Sequence, residues 1–184
     1  ATTGTLDDAQ RNTGVGIGAL DALTSGDRNT ALGYNTGTAI TTALYNTFVG
    51  DSAGVTNVSG ASNTGIGMNS LGTNSAGHRN TAVGYGAGNA MTDHDGTGTA
   101  NTAIGKDAGI AVVGGTYNIM VGYDAGDNVT TGSGNIIIGT GDAAAADSAR
   151  TFKVVSYDGS TTTNHIISDA SGNMTLAADL TIGD

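Results

Sequence analysis

The sequence predicts an all-β protein, a parallel β-solenoid or β-roll (a β-helix) of about eight coils with 17 residues each. Two observations support this: a short motif that returns at fixed spacing, and a composition that disfavours helices. With the Asn of each motif as position zero, successive motifs lie 17, 17, 17, 17, 21, 17 and 17 residues apart. Self-similarity at a fixed period is the signature of a repeat architecture.

Composition argues against helices. The chain has 32 Gly and no Pro or Cys, and every one of its sixteen acidic residues is Asp. Exposed helix faces are normally filled by Glu, Lys and Gln, whereas Gly, Asn, Asp, Ser and Thr compete for turns and caps. A chain this rich in Gly can fold only if a regular aliphatic pattern supplies a core.

The motif supplies such a pattern. Its copies read NTGVG, NTALG, NTFVG, NTGIG, NTAVG, NTAIG, NIMVG and NIIIG. Side chains alternate along a strand, so positions one and three share a face. We expect position three to face inward as an aliphatic spine, each member contributing about 1.5–3 kcal/mol if buried. The spine comprises Val15, Leu32, Val49, Ile66, Val83, Ile104, Val121 and Ile138.

The Asn and Gly of the motif predict the remaining features of a coil. Stacked Asn side chains favour a ladder of amides hydrogen-bonded from coil to coil. An odd period would turn the inward face outward unless a corner resets the alternation. Gly at position four, and a second corner near position eight, serve this purpose and predict two short strands per coil. The ladder comprises Asn12, Asn29, Asn46, Asn63, Asn80, Asn101, Asn118 and Asn135.

The pattern also predicts the domain organisation. Residues 1–11 are a lead-in, 12–140 the repeat domain, 141–150 a linker or cap, and 151–184 a β-rich fibre shaft or capping segment. The 21-residue interval predicts a four-residue insertion in a surface loop, within residues 92–100. In the tail, "TFKVVSY", "TTTNHIIS" and "NMTLAADLTI" read as three strands separated by turns. We expect the chain to be an excerpt of a longer protein.

The motif "NTAVGYGAG" (80–88) resembles the repeat in the heads of YadA-like trimeric autotransporter adhesins, and more closely the NTAVGYxAG arrays of bacteriophage tail-fibre proteins. The closing "SDASGNMTLAADLTIGD" is similar to phage fibre shaft sequence. This resemblance implies a left-handed β-roll in which three identical chains stand side by side as a stiff fibre. The adhesin heads use a shorter repeat, which bears on the packing between chains.

A second stripe suggests association independently of the resemblance. Position two is mostly small or apolar, where a solvated face would carry charge. Extended exposed apolar surface usually marks an interface, so we expect this stripe to contact another chain. Its members are Gly14, Ala31, Phe48, Gly65, Ala82, Ala103, Met120 and Ile137.

Candidate binding residues are few. Tyr34, Tyr85 and Tyr123 recur at position five, where exposed rings can stack on sugars or pack between chains. Asp93, His94 and Asp95 lie in the insertion. They are candidates because binding residues often sit on loops held by a rigid scaffold. Asp93 and Asp95 are also weak Ca²⁺ ligand candidates, two carboxylates being far fewer than a full site requires.

These residues favour a structural and adhesive fibre segment of a phage tail fibre, a virion component for host attachment, without enzymatic activity or cofactor. Its expected partners are itself, neighbouring fibre segments and a host receptor such as a glycan. A net charge of −10 argues against nucleic acid, and no apolar run of about 20 residues predicts membrane insertion. Two alternatives remain: a trimeric adhesin head on a bacterial surface, and a monomeric solenoid that binds a ligand or ice. The Thr column at position one suggests ice, although Ile119 and Ile136 replace Thr in the last coils and suit an interior column.

Overall fold

The computed structural model describes residues 9–92, 99–143, 145–168 and 171–176. Within them the chain is all-β, and eleven strands form one sheet in sequence order. The predicted parallel β-solenoid of about eight turns is confirmed. Eight three-residue strands come first: β1 Thr13–Val15, β2 Thr30–Leu32, β3 Thr47–Val49, β4 Thr64–Ile66, β5 Thr81–Val83, β6 Thr102–Ile104, β7 Ile119–Val121 and β8 Ile136–Ile138. β9 Phe152–Tyr157, β10 Thr162–Ser168 and β11 Met174–Leu176 follow.

Each coil contributes one strand to the sheet rather than the two expected. β1 to β8 pair in parallel at matching positions, as in Thr13↔Thr30 and Val15↔Leu32. The rest of each coil is turns whose backbone groups bond to the next coil, for example Leu20 N to Thr36 O at 3.1 Å. These turns contain many residues in the left-handed backbone conformation (positive φ), so no stretch is long enough to form a second strand.

Left-handed residues form the corners of the coil. The predicted corners at positions four and eight are present, as in Gly67 (φ 130°) and Gly54 (φ 58°). Two further corners occupy positions minus one and six, for instance Arg28 (φ 56°) and Asn35 (φ 50°). At Gly67 only Gly fits, because a Cβ would lie 2.4 Å from the Gly84 carbonyl oxygen. These corners reset the alternation that an odd period would otherwise disturb.

The expected facing of the strands is wrong by one residue. Position two lies inside the coil: Ala31, Phe48, Ala82, Ala103, Met120 and Ile137 are all fully buried. The aliphatic residues at position three point outward and are exposed or half-buried. The cause is the Asn, which is itself buried: alternation from an inward position zero places position two inside and positions one and three outside. The spine is therefore an outer column, and the stripe expected at an interface is core.

The core is narrow and filled by complementary sizes. Alanines and aliphatic side chains from the turns, such as Leu71 and Ile40, face the position-two column. The ring of Phe48 fills the space above two glycines, since a Cβ would lie 2.6 Å from its atoms at Gly54 and 2.9 Å at Gly65. The ring is thus accommodated by a missing side chain at Gly54 of its own coil and at Gly65 of the next coil.

The Asn ladder is confirmed. Asn46 Oδ1 accepts from the backbone N–H of Asn63 at 2.9 Å, and Asn63 Oδ1 accepts from that of Asn80 at 2.9 Å. Each Nδ2 also donates across the coil, as from Asn63 to the Gly77 carbonyl at 2.7 Å. The side chain therefore ties neighbouring coils together and braces its own coil across the interior.

The stack continues into the tail. Thr151 occupies the ladder position after Asn135, and its N–H donates to Asn135 Oδ1 at 2.9 Å. β8 pairs in parallel with β9, and β9, β10 and β11 then form an antiparallel meander, which matches the three strands predicted. Residues 93–98, within the segment predicted to hold the four-residue insertion, lie outside the described residues. The register resumes after them, because β5 pairs with β6 at Thr81↔Thr102.

Candidate interaction surface

The outward residues of β1 to β8, at positions one and three, form a flat surface that we call the β face. None of the residues in these eight strands is charged. Val15, Leu32, Ile66, Ile104 and Ile138 are exposed on it, Ile66 for 41% of its surface. Eight strands about 4.8 Å apart make the β face roughly 34 Å long. A contiguous apolar surface of this extent usually marks an interface.

One edge of the β face carries all four arginines of the chain. Position minus one, just before each ladder Asn, forms what we call the arginine column. Tyr45 lies in the same column, and the Arg28 Nη1 donates to its hydroxyl at 2.6 Å, with the guanidinium carbon 5.1 Å from the ring centre. The column comprises Arg11, Arg28, Tyr45, Ser62, Arg79, Ala100, Tyr117, Gly134 and Arg150.

The arginine column was missed from the sequence, because the motif was counted from the Asn onward. The repeated "RNTA" at residues 28–31 and 79–82 was a signal that could have revealed it. Arg11, Arg28, Arg79 and Arg150 all have φ between 56° and 58°, which aims each side chain outward from the same kind of corner.

The other edge carries the position-five column, and the three predicted tyrosines lie exposed in it. Lys106 joins two of them, because its Nζ lies 5.7 Å from the ring centre of Tyr85 and 5.0 Å from that of Tyr123. Asp107 forms an ion pair with this ammonium and raises the pKa of Lys106. Tyr34 lies three coils from Tyr85. The column comprises Ile17, Tyr34, Asp51, Met68, Tyr85, Lys106, Tyr123 and Thr140.

A pocket of about 260 Å³ opens where the solenoid meets the tail. Asp142 faces Asp127 there, and hydrogen bonding between the two carboxyls, with burial and the nearby charge of Asp124, raises the pKa of Asp127 to about 6. The Lys153 ammonium donates to the backbone carbonyl of Asp142 at 3.0 Å. The lining residues are Tyr123, Asp124, Asp127, Thr140, Gly141, Asp142, Tyr157 and Thr162.

The remaining predicted binding residues are those of the insertion. Asp93, His94 and Asp95 lie outside the described residues, which include no cluster of three or more potential metal ligands. His78 Nδ1 accepts from the Ala61 N–H at 3.0 Å, which makes it part of the coil-to-coil bonding.

The Thr column at position one points outward, so the interior placement inferred from Ile119 and Ile136 is wrong. No helix capable of crossing a membrane was found in the part of the chain that the structure describes. A scan against protein-family models, a search of curated proteins and a search of solved structures each gave no match.

Proposed function

We propose that the chain is a structural and adhesive segment of a fibre, in which three copies stand side by side with their β faces turned toward a common axis. The observation that best supports this proposal is the β face itself, a long, flat, uncharged surface with exposed aliphatic residues along its whole length. Burying those side chains against other copies removes them from water, which is the dominant favourable term in protein association.

The dimensions of the β face favour three copies. From position minus one to position five the backbone spans at most about 20 Å, at about 3.3 Å per residue. Three such faces around an axis leave a distance of about 6 Å from each face to the centre, close to half of the ~10 Å at which sheets pack. Four faces would leave a distance of about 10 Å and an unfilled channel. The resemblance of the repeat to YadA-like heads and phage tail fibres supports the same number.

In this proposal the segment belongs to a phage tail fibre and carries host-receptor contacts without catalysing a reaction. The candidates for those contacts are Asp93, His94 and Asp95 of the insertion and the exposed rings of Tyr34, Tyr85 and Tyr123. A receptor glycan is the ligand class that exposed tyrosine rings favour. The trimeric adhesin head of a bacterial surface is the alternative owner of the same architecture.

The test is the solution mass by light scattering of the wild-type chain and two matched variants. Ile66→Asp places a charge on the β face, and Val58→Asp places one at a side chain of similar exposure, 44% against 41%, in the turn region. The wild type should have a mass of about 54 kDa, three chains of 17.9 kDa. Ile66→Asp should reduce the mass to one chain, and Val58→Asp should leave it at three.

A folded wild-type monomer would refute the fibre proposal. It would favour the second candidate, a monomer that binds ice through the β face. The specific observation behind that candidate is the regular outward Thr column beside the aliphatic column. Thermal hysteresis measured on the same monomer, and lost in Ile66→Asp, would support ice binding.

A further inference from the structure

We propose that, in the trimer, the arginine column of each chain lies against the position-five column of the next chain, coil by coil and at the same height. Three identical seams then run along the fibre. This inference rests on the proposed side-by-side trimer and adds to it the contacting surfaces and their register.

The first support is that an Arg at one edge of the β face occurs together with a Tyr at the other edge of the same coil. The two coils that read "RNTALGY" (28–34) and "RNTAVGY" (79–85) carry Arg at one edge and Tyr at the other. The Arg and the Tyr of such a coil lie at opposite edges of the β face, with the strand between them. Inside the chain, Arg28 instead contacts Tyr45 of the next coil. A neighbouring copy rotated about the axis brings the two edges together.

The second support is chemical complementarity at equal height. Arg28 would meet Tyr34 and Arg79 would meet Tyr85, each a guanidinium against an exposed ring. Elsewhere Tyr45 would meet Asp51, whose carboxylate can accept from the phenol. No coil of the repeat would oppose two charges of the same sign.

The aromatic pair Tyr117 and Tyr123 extends the seam toward the C-terminal end, where both rings are exposed, Tyr117 for 68% of its surface. Aromatic pairs contribute beyond the area that they bury. Ala100 opposite Lys106 leaves room for an ammonium that is already paired with Asp107.

The third support is that neighbouring registers do not close the ring. Three copies around an axis are related by rotation alone, so a shift of one coil at every seam would leave the third chain displaced from the first. A shift in one direction would also set Arg79 against Lys106, a repulsion between like charges, although it would set Arg28 against Asp51. Equal height matches Arg28 and Arg79 with aromatic rings and leaves Arg11 opposite Ile17.

The seams narrow the set of receptor contacts. Tyr34, Tyr85 and Tyr123 would pack between chains, which leaves, of the described residues, those of the turn region for a receptor.

Disulfide trapping tests the register. The chain contains no cysteine of its own, so every disulfide must come from the introduced thiols. The variant Ser62→Cys/Met68→Cys places one thiol on each edge of a single coil, at two exposed positions. Under mild oxidation it should give covalent trimers on a non-reducing denaturing gel. Each single variant should stop at dimers or remain uncrosslinked, because a closed ring needs both edges.

Two staggered variants serve as register controls: Ser62→Cys/Tyr85→Cys and Arg79→Cys/Met68→Cys shift the thiols by one coil in opposite directions. Both should give few covalent trimers, because thiols displaced by about 4.8 Å along the axis exceed disulfide geometry. Preferential trapping of either one would overturn the equal-height register.

Light scattering of the reduced samples separates the two proposals. A mass of three chains without trapping in any of the variants overturns the seams and leaves the trimer standing. A mass of one chain overturns both.

Discussion

The packing of Phe48 against Gly65 offers the sharpest test of the core. Phe48→Ala removes a fully buried ring, and such truncations cost about 3–5 kcal/mol of unfolding free energy. Gly65→Ala adds a methyl group 2.9 Å from Phe48 Cδ1 and 3.0 Å from Ser70 Oγ, an overpacking that costs about 1–3 kcal/mol. The backbone of Gly65 is not left-handed, so the cost comes from crowding and not from φ.

Combining the two changes should relieve that crowding. In the Phe48→Ala background the added methyl group enters the space that the ring has left, so Gly65→Ala should become nearly neutral there. The double variant should then be about 1–3 kcal/mol more stable than the sum of the single effects predicts, a coupling typical of residues in contact. Urea unfolding followed by circular dichroism measures all four proteins.

Additivity of the two changes within about 0.5 kcal/mol would refute this account of the core. Gly67→Ala is the matched control, because its Cβ would strike the Gly84 backbone carbonyl at 2.4 Å and not the ring. Its cost should be the same with or without Phe48.

Two further predictions concern the ladder and the junction pocket. Asn63→Ala leaves the Asn80 N–H without its acceptor and the Gly77 carbonyl with only the 3.4 Å bond from Asn74 Nδ2, so unfolding free energy measured in urea should fall by about 2–4 kcal/mol. Asn12→Ala, at the end of the stack, should cost clearly less, and equal losses would contradict an interior role for the ladder. Asp127 has a pKa of about 6, above its ordinary 3.8, so the folded state holds this proton more tightly and stability should be lost as pH rises from about 4 to about 6. Asp127→Asn should remove this part of the pH dependence and raise the melting temperature at pH 8 but not at pH 3, and an unchanged melting curve at pH 8 would contradict the shared proton. Asp158, whose pKa is lowered by the N–H groups of Thr161 and Ser160, has the opposite sign and should lose its contribution as pH falls.

The period of the sequence was enough to predict the coil count, the Asn ladder and the tail strands, because each depends only on spacing and residue type. The facing of the strands was not predicted, since positions two and three are both mainly small or apolar and hydrophobicity alone cannot rank them. The buried amide of an Asn such as Asn46 decides the question, because period two then fixes every later position. Starting the alternation from the predicted ladder would have given the correct face.

The edges of the β face were harder to find for a different reason. A corner with φ near 58° is usually identified in a sequence by the presence of Gly, yet Arg28, Tyr45 and Arg79 adopt that conformation here. Hydrogen bonds between adjacent coils hold the backbone there and offset the local strain, as between Arg79 N and Ala61 O at 3.0 Å. Sequence reasoning that looks for Gly corners therefore passes over the positions that carry the arginines.

The direction of the hydrogen bonds between coils has a mechanical consequence. They run along the axis of the stack, so a pulling force along that axis loads the coils in series and detaches them one at a time. Each coil adds about 4.8 Å to the folded rod, whereas its 17 residues span about 58 Å when extended. Loss of a single coil would therefore lengthen the chain by about 53 Å. Under a sudden pulling force the rod would extend by unfolding single coils while the remaining coils stay folded.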